Sequence, residues 1–227
     1  MSVEIVSREE RIFRNRTEAG RILAEHLAEL AGPDALVLAI PRGGVVVGGV
    51  IAEELGCDLD VVIVRKLGAP SNPELAIGSL MEGAEKPYLN ESIIRSLGVS
   101  RRYIEEETER QRKEAQRRAA AYRGDRPRAE IRDRVVIIAD DGIATGATMI
   151  SSIQGTKTQD PGRLIVALPV GPPENVDQIA MMVDDLVCLS TPAFFAAVGQ
   201  FYEDFSQTTD EEVIKTLQRF SAARKQK

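Results

Sequence analysis

The chain has 227 residues and a net charge of −6, with an isoelectric point of about 5.1, which excludes a general role on nucleic acid or at a membrane surface. Its single histidine, His26, falls inside a helical pattern, and its two cysteines, Cys57 and Cys188, lie far apart, so His-dependent hydrolase triads and Cys/His zinc sites are excluded. The N-terminal "MSVEIVSREERIFRNR" lacks an apolar signal region and no stretch reaches membrane-spanning length; a single cytoplasmic domain, 1–227, is the expectation.

In chain order, residues 17–30 place Ile22, Leu23, Leu27 and Leu30 on one helical stripe, with Asn15 and Glu18 spaced as a capping box. "ALVLAI" (35–40) reads as a strand buried on both faces, and "PRGG" (41–44) as a tight turn into a helix over 45–55. "LDVVIV" (59–64) is a second such strand. It opens into Arg65, Lys66 and "LGAPSNPELAIGSLMEGAEKP", a Gly- and Pro-rich stretch that reads as a long loop. Residues 100–122 form a charged helix, and the bland account of it is a solvated surface. Three further buried strands follow, "RVVIIA" (134–139), "RLIVALPV" (163–170) and "DLVCLS" (185–190), alternating with helices over 147–156 and 174–183. The end of the chain carries most of its few aromatics, Phe194, Phe195, Phe201, Tyr202 and Phe205, and then a helix capped by Thr209 and Glu212. Alternating strands and helices imply an α/β fold with a doubly wound parallel sheet.

Chemistry concentrates in "RVVIIADDGIATGAT" (134–148). Asp140 and Asp141 end a buried strand, the edge at which open α/β sheets bind ligands. Gly142, Ala144, Thr145, Gly146, Ala147 and Thr148 then form a small, hydroxyl-rich loop at a helix N-terminus, which suits a phosphate. Neither the Walker nor the Rossmann glycine pattern occurs. Two carboxylates beside a phosphate cradle would repel the phosphate unless they serve another part of the ligand. Vicinal sugar hydroxyls meet that need, so ribose 5-phosphate fits the pair of features. The bland alternatives are solvated strand ends and an ordinary helix cap. For Arg42, Gly43 and Gly44 alone, a turn that needs glycine is the alternative; for Arg65 and Lys66, a basic strand end.

"VVIIADDGIATGAT" resembles the signature of the type I phosphoribosyltransferases, and the likeness extends over about 36–190. The layout, including "AVGQFYEDFSQTTDEEV", resembles a bacterial and archaeal group of that family whose acceptor is poorly defined. The resemblance implies a parallel-sheet core, a loop and helix inserted at 66–128, and a small hood from the N- and C-terminal segments (191–227). It implies transfer of 5-phosphoribosyl from phosphoribosyl pyrophosphate to a nitrogenous acceptor, with Mg²⁺ as cofactor. In these terms Asp140 and Asp141 hold the ribose hydroxyls and reach the metal only indirectly, through those hydroxyls or water. Residues 144–148 wrap the 5-phosphate. Arg42, Gly43 and Gly44 form the pyrophosphate loop, often with an unusual peptide geometry, and Arg65 and Lys66 contact pyrophosphate from a mobile loop that closes over the site. Members acting on 6-oxopurines carry an Asp where this chain has Ala144. A non-catalytic protein that binds phosphoribosyl pyrophosphate or a nucleotide as a regulator stays open, as does a homodimer. A phosphatase is a weaker rival, because it would want an Asp-x-Asp pair.

Overall fold

The protein, described by a computed structural model over residues 2–224, is built on two sheets. The large one has six strands in the order β1-β9-β8-β7-β2-β3: Ser2–Ile5, Asp185–Ser190, Arg163–Val170, Val135–Ala139, Leu36–Ala39 and Asp58–Val61. All its pairings are parallel. Parallel strands must be buried on both faces, and these are. Val37 and Ala39 of β2 point into one apolar layer, with α1 (Arg16–Leu27), α2 (Gly43–Leu55) and α7 (Asp210–Arg224). Leu36 and Leu38 point into the other, with α5 (Ala147–Lys157) and α6 (Pro173–Ala180).

Five of the six strands are those expected from the sequence, and β8 and β9 agree at both ends. Strand β1 was not expected. Its residues are mostly exposed, and it exists because the free edge of β9 pairs with it from Ser2↔Asp185 to Ile5↔Cys188. The caps form as the sequence indicates. Asn15 Oδ1 accepts from Glu18 N at 3.0 Å, while the Glu18 carboxylate reaches back to Arg14 N rather than Asn15 N. Thr209 and Glu212 cap α7 reciprocally, at 3.2 and 2.7 Å.

The inserted region departs from expectation. Instead of a long loop, residues 64–81 form an antiparallel hairpin, β4 (Val64–Ala69) and β5 (Asn72–Met81), extended by β6 (Tyr88–Leu89). The Gly and Pro residues masked a β pattern, since Leu67, Ile77 and Leu80 bury one face against Ile94 of α3 (Glu91–Leu97). The tip, 70–73, stays exposed. Helix α4 (Arg101–Arg123) is not merely a solvated surface. Thr108, Ala115 and Ala119 form a buried stripe, and two of them join the main core. At its end the buried Arg123 bridges Asp60 at 2.7 Å and Glu82 at 2.8 Å, pinning the insertion to β3 and β5. Gly155, a weak point in the helical pattern of α5, is where α5 meets β5: a Cβ there would lie 2.5 Å from Met81 Cβ.

The terminal segments meet across the carboxyl edge of the sheet. Phe13 N donates to Phe201 O at 2.9 Å and Glu203 N to Phe13 O at 2.8 Å, with both Phe13 and Phe201 fully buried. The region expected as a hood ends with three residues, 225–227, that lie outside the described ones, as does Met1. Among the described residues, no helix is long and apolar enough to cross a membrane.

Candidate functional site

The strand order reverses between β2 and β7, because β2 leads outward to β3 while β7 leads the other way to β8 and β9. A crevice opens at the carboxyl ends of such a pair. The register Leu38↔Ile138 and Ala39↔Ala139 brings the turn after β2 level with the acids after β7. The peptide bond between Pro41 and Arg42 is cis.

The two loops touch. A Cβ on Gly44 would lie 2.9 Å from Ala139 O and from Asp140 Cα, and one on Gly43 would lie 1.9 Å from Asp141 Oδ2. Glycine is required at both positions for close approach. Gly142 (φ 145°) and Gly146 (φ 72°) are required for a second reason, a backbone conformation that other residues rarely adopt. Gly146 ends the loop and starts α5 with nothing nearer to its missing Cβ than 3.5 Å, so its need is conformational more than steric. Asn175 Nδ2 donates to Ala144 O at 2.5 Å and holds the loop. Ala144, Thr145, Ala147 and Thr148 are exposed. The amides of Thr145, Gly146 and Thr148 have no hydrogen-bond partner among the described residues, as expected of donors at a helix N-terminus.

The two acids have different partners. Asp140 Oδ1 accepts from Asp141 N at 2.8 Å. Burial, and then the neighbouring Asp141 carboxylate, push the Asp140 carboxyl well above its usual value. Asp141 Oδ2 instead accepts from Arg16 Nε at 2.7 Å, with the two side chains only 14% and 10% exposed. Arg16 in turn donates to Ser206 O at 2.8 Å and lies 3.9 Å from the centre of the Phe205 ring. The Tyr202 hydroxyl donates to Asp141 O at 2.7 Å. Burial pushes that phenol upward, so it remains a donor. A hydrogen bond between the two side chains adds to the rise at Asp140, so the carboxyl groups of Asp140 and Asp141 share a proton.

Arg16 and Tyr202 escaped the sequence reading. Arg16 is the first residue of α1 and looks like any basic residue near a capping box; Tyr202 looks like one ring among five. Their separations from Asp141 in sequence, 125 and 61 residues, leave no local trace.

Beside the two loops lies a cleft of about 770 Å³ lined by Pro41, Arg42 and Thr148 on the core side, by Arg117, Arg118 and Tyr122 of α4 opposite, and by Asp210 of α7. Arg42 reaches Asp210 only at 3.7 Å. Arg65 and Lys66 are not among its lining residues. Arg65 turns along α4, where its Nε donates to Gln111 at 3.0 Å, and it lines a separate, more open recess of about 990 Å³. Among the described residues no group of three or more His, Cys, Asp or Glu could hold a metal ion by itself.

A family model described as the phosphoribosyl transferase domain matches residues 10–206. The chain belongs to the phosphoribosyl transferase family. A protein found in two strains of Mycobacterium tuberculosis, provisionally named a phosphoribosyl transferase, is 42% identical over 209 residues, 92% of this chain and 47% of that one. The chain thus spans about half the length of the curated relatives it matches. A crystal structure from Thermus thermophilus superposes with a TM-score of 0.84 at 44% identity, covering 92% of this chain and 99% of that one. The family match covers α1 and the 201–206 segment as well as every strand of the large sheet except β1, so the partners of Asp141 fall inside the domain.

Proposed function

We propose that this family member transfers the 5-phosphoribosyl group from phosphoribosyl pyrophosphate to a nitrogenous acceptor and releases pyrophosphate. The observation that carries the reading is the adjacent pair of carboxyl groups at the strand end beside three uncommitted loop amides. The two carboxyl groups hold the ribose 2- and 3-hydroxyls, and the amides of Thr145, Gly146 and Thr148 donate to the 5-phosphate. The turn at Arg42, Gly43 and Gly44 then faces the carbon that bears pyrophosphate. The transition state for that displacement is oxocarbenium-like, so the protein contributes position and charge rather than a covalent intermediate.

The residues present fit Mg²⁺ only in an outer role. With no built cage, the ion would be carried by the substrate's own phosphate and hydroxyl oxygens, with Asp140 and Asp141 holding those hydroxyls or an intervening water. When bound, the ion would neutralise the departing pyrophosphate. Ala144 offers no general base where 6-oxopurine members carry Asp, so the acceptor is expected to be a base or amine that needs no such help.

The second reading, a non-catalytic binder of the same ligand, gains support from the hairpin at 64–81. Its packed inner half makes it less of a free lid than the sequence suggested. The deciding experiment measures pyrophosphate release from phosphoribosyl pyrophosphate with Mg²⁺, across nucleobases and small amines. Turnover with at least one acceptor supports the enzyme. Tight donor binding without turnover on any acceptor favours the regulator, and no donor binding sinks both. Efficient use of hypoxanthine, guanine or xanthine, at about 10⁴ M⁻¹s⁻¹ or above, would show that a base outside the loop replaces the missing Asp.

A further inference from the structure

Apart from Arg42, the cations that face the cleft come from the inserted helix rather than from the stretch after β3. Arg117 and Arg118, near the end of α4, line the wall opposite Pro41, Arg42 and Thr148. Both converge on Glu114. Arg117 donates to its two carboxylate oxygens from Nε and Nη2, each at 2.9 Å, and Arg118 donates from Nε at 3.1 Å. The terminal amino groups of Arg118 and the Nη1 of Arg117 have no hydrogen-bond partner among the described residues. Three guanidinium groups, Arg42, Arg117 and Arg118, line the cleft against one carboxylate, Asp210. Burial, and then Arg118, hold the Arg65 guanidinium below its usual value, with Glu114 opposing and Arg110 and Arg117 adding to the fall. Glu114 itself is held down to about 2 by its hydrogen bonds to Arg117 and Arg118, so it stays a carboxylate. In a chain of net charge −6, this cluster is local and not a reflection of composition.

We propose that Arg117 and Arg118, together with Arg42, bind the pyrophosphate end of the donor, and that Glu114 is the counter-ion they exchange for it. The inference rests on the phosphoribosyl transfer proposed above. A guanidinium fork matches phosphate oxygens in pairs, and it stays charged at any working pH. Moving the two arginines from one carboxylate to a multiply charged anion is favourable, and Glu114 sets how much is gained. Helix α4 thereby takes the role that the sequence suggested for Arg65 and Lys66, and the hairpin is relieved of carrying the leaving group's charge.

The test is titration calorimetry with Mg²⁺ and inorganic pyrophosphate, and separately with ribose 5-phosphate. The wild-type chain is expected to bind both. Arg117→Ala/Arg118→Ala should weaken pyrophosphate binding by about 100-fold, one tenfold step for each charge-assisted bond, and leave ribose 5-phosphate within about twofold. Glu114→Gln should tighten pyrophosphate binding, the opposite of what loss of a merely structural triad would do. Arg101→Ala/Arg102→Ala, at the far end of α4, keeps the wild-type affinity. Pyrophosphate binding in Arg117→Ala/Arg118→Ala within about twofold of wild type, or weakened binding in Glu114→Gln, overturns the inference. Wild-type binding of ribose 5-phosphate without pyrophosphate overturns it and spares the cradle; binding of neither overturns the functional reading as well.

Discussion

Arg16→Gln tests the link between the terminal segments and the acid pair. The substitution removes the guanidinium that meets Asp141 at 2.7 Å, in a place where the carboxylate is 14% exposed. Breaking a buried ion pair from one side costs about 3–5 kcal/mol, because the remaining charge is left without compensation. This pair is slightly wet, so the low end, about 3 kcal/mol, applies. For a domain of this size, each kcal/mol moves the unfolding temperature by about 2–4 °C, which makes the expected drop about 6–12 °C. Arg16 also stacks on Phe205 and bonds Ser206 O, so the single variant alone does not isolate the pair. Arg16→Gln/Asp141→Asn does. With both charges gone the unpaired carboxylate is gone too, and the double variant should recover most of the loss. Calorimetric unfolding of the four proteins of this cycle gives the coupling. A drop below about 2 °C in the single variant, or two singles whose effects simply add, would refute the argument.

Three further outcomes follow from the same geometry. Gly44→Ala sets a Cβ against the backbone of Ala139 and Asp140, which cannot swing away, so it should destabilise by about 1–3 kcal/mol and disturb ribose 5-phosphate binding, measured by unfolding and calorimetry; unchanged values in both would place the loops farther apart. Burial and the Asp141 carboxylate raise the Asp140 carboxyl, so the native state keeps a proton that the unfolded chain releases. That contribution is fully present below the ordinary carboxylate value and is lost as pH rises through the raised one. Asp140→Asn should therefore gain stability relative to wild type as pH rises across that window; a stability difference that stays flat with pH contradicts it. Gly155→Ala gains about 1 kcal/mol in helix propensity but forces α5 from Met81 at a cost of about 1–3 kcal/mol, so the net sign is destabilising, and a raised unfolding temperature would show that β5 yields there.

The sequence by itself determined the parts whose causes are short-range. Buried parallel strands read as apolar runs because both faces are covered, and β8 and β9 could be bounded to the residue. The loop after β7 was legible as a unit because a strand end, two acids and a glycine-framed helix start sit within a few residues of each other. The hairpin was not legible, since "LGAPSNPELAIG" carries turn residues throughout and its β pairing is stabilised by Ile94, far along the chain. Nor was Gly155, whose reason is the approach of Met81. Tertiary structure alone decided what surrounds the acids. Arg16, Tyr202 and the arginines of α4 reach the sheet edge only because the terminal segments cross it and the insertion folds back onto the core. A charge partner more than a hundred residues away exerts no influence on local periodicity, so only the folded chain could show that Arg16 meets Asp141.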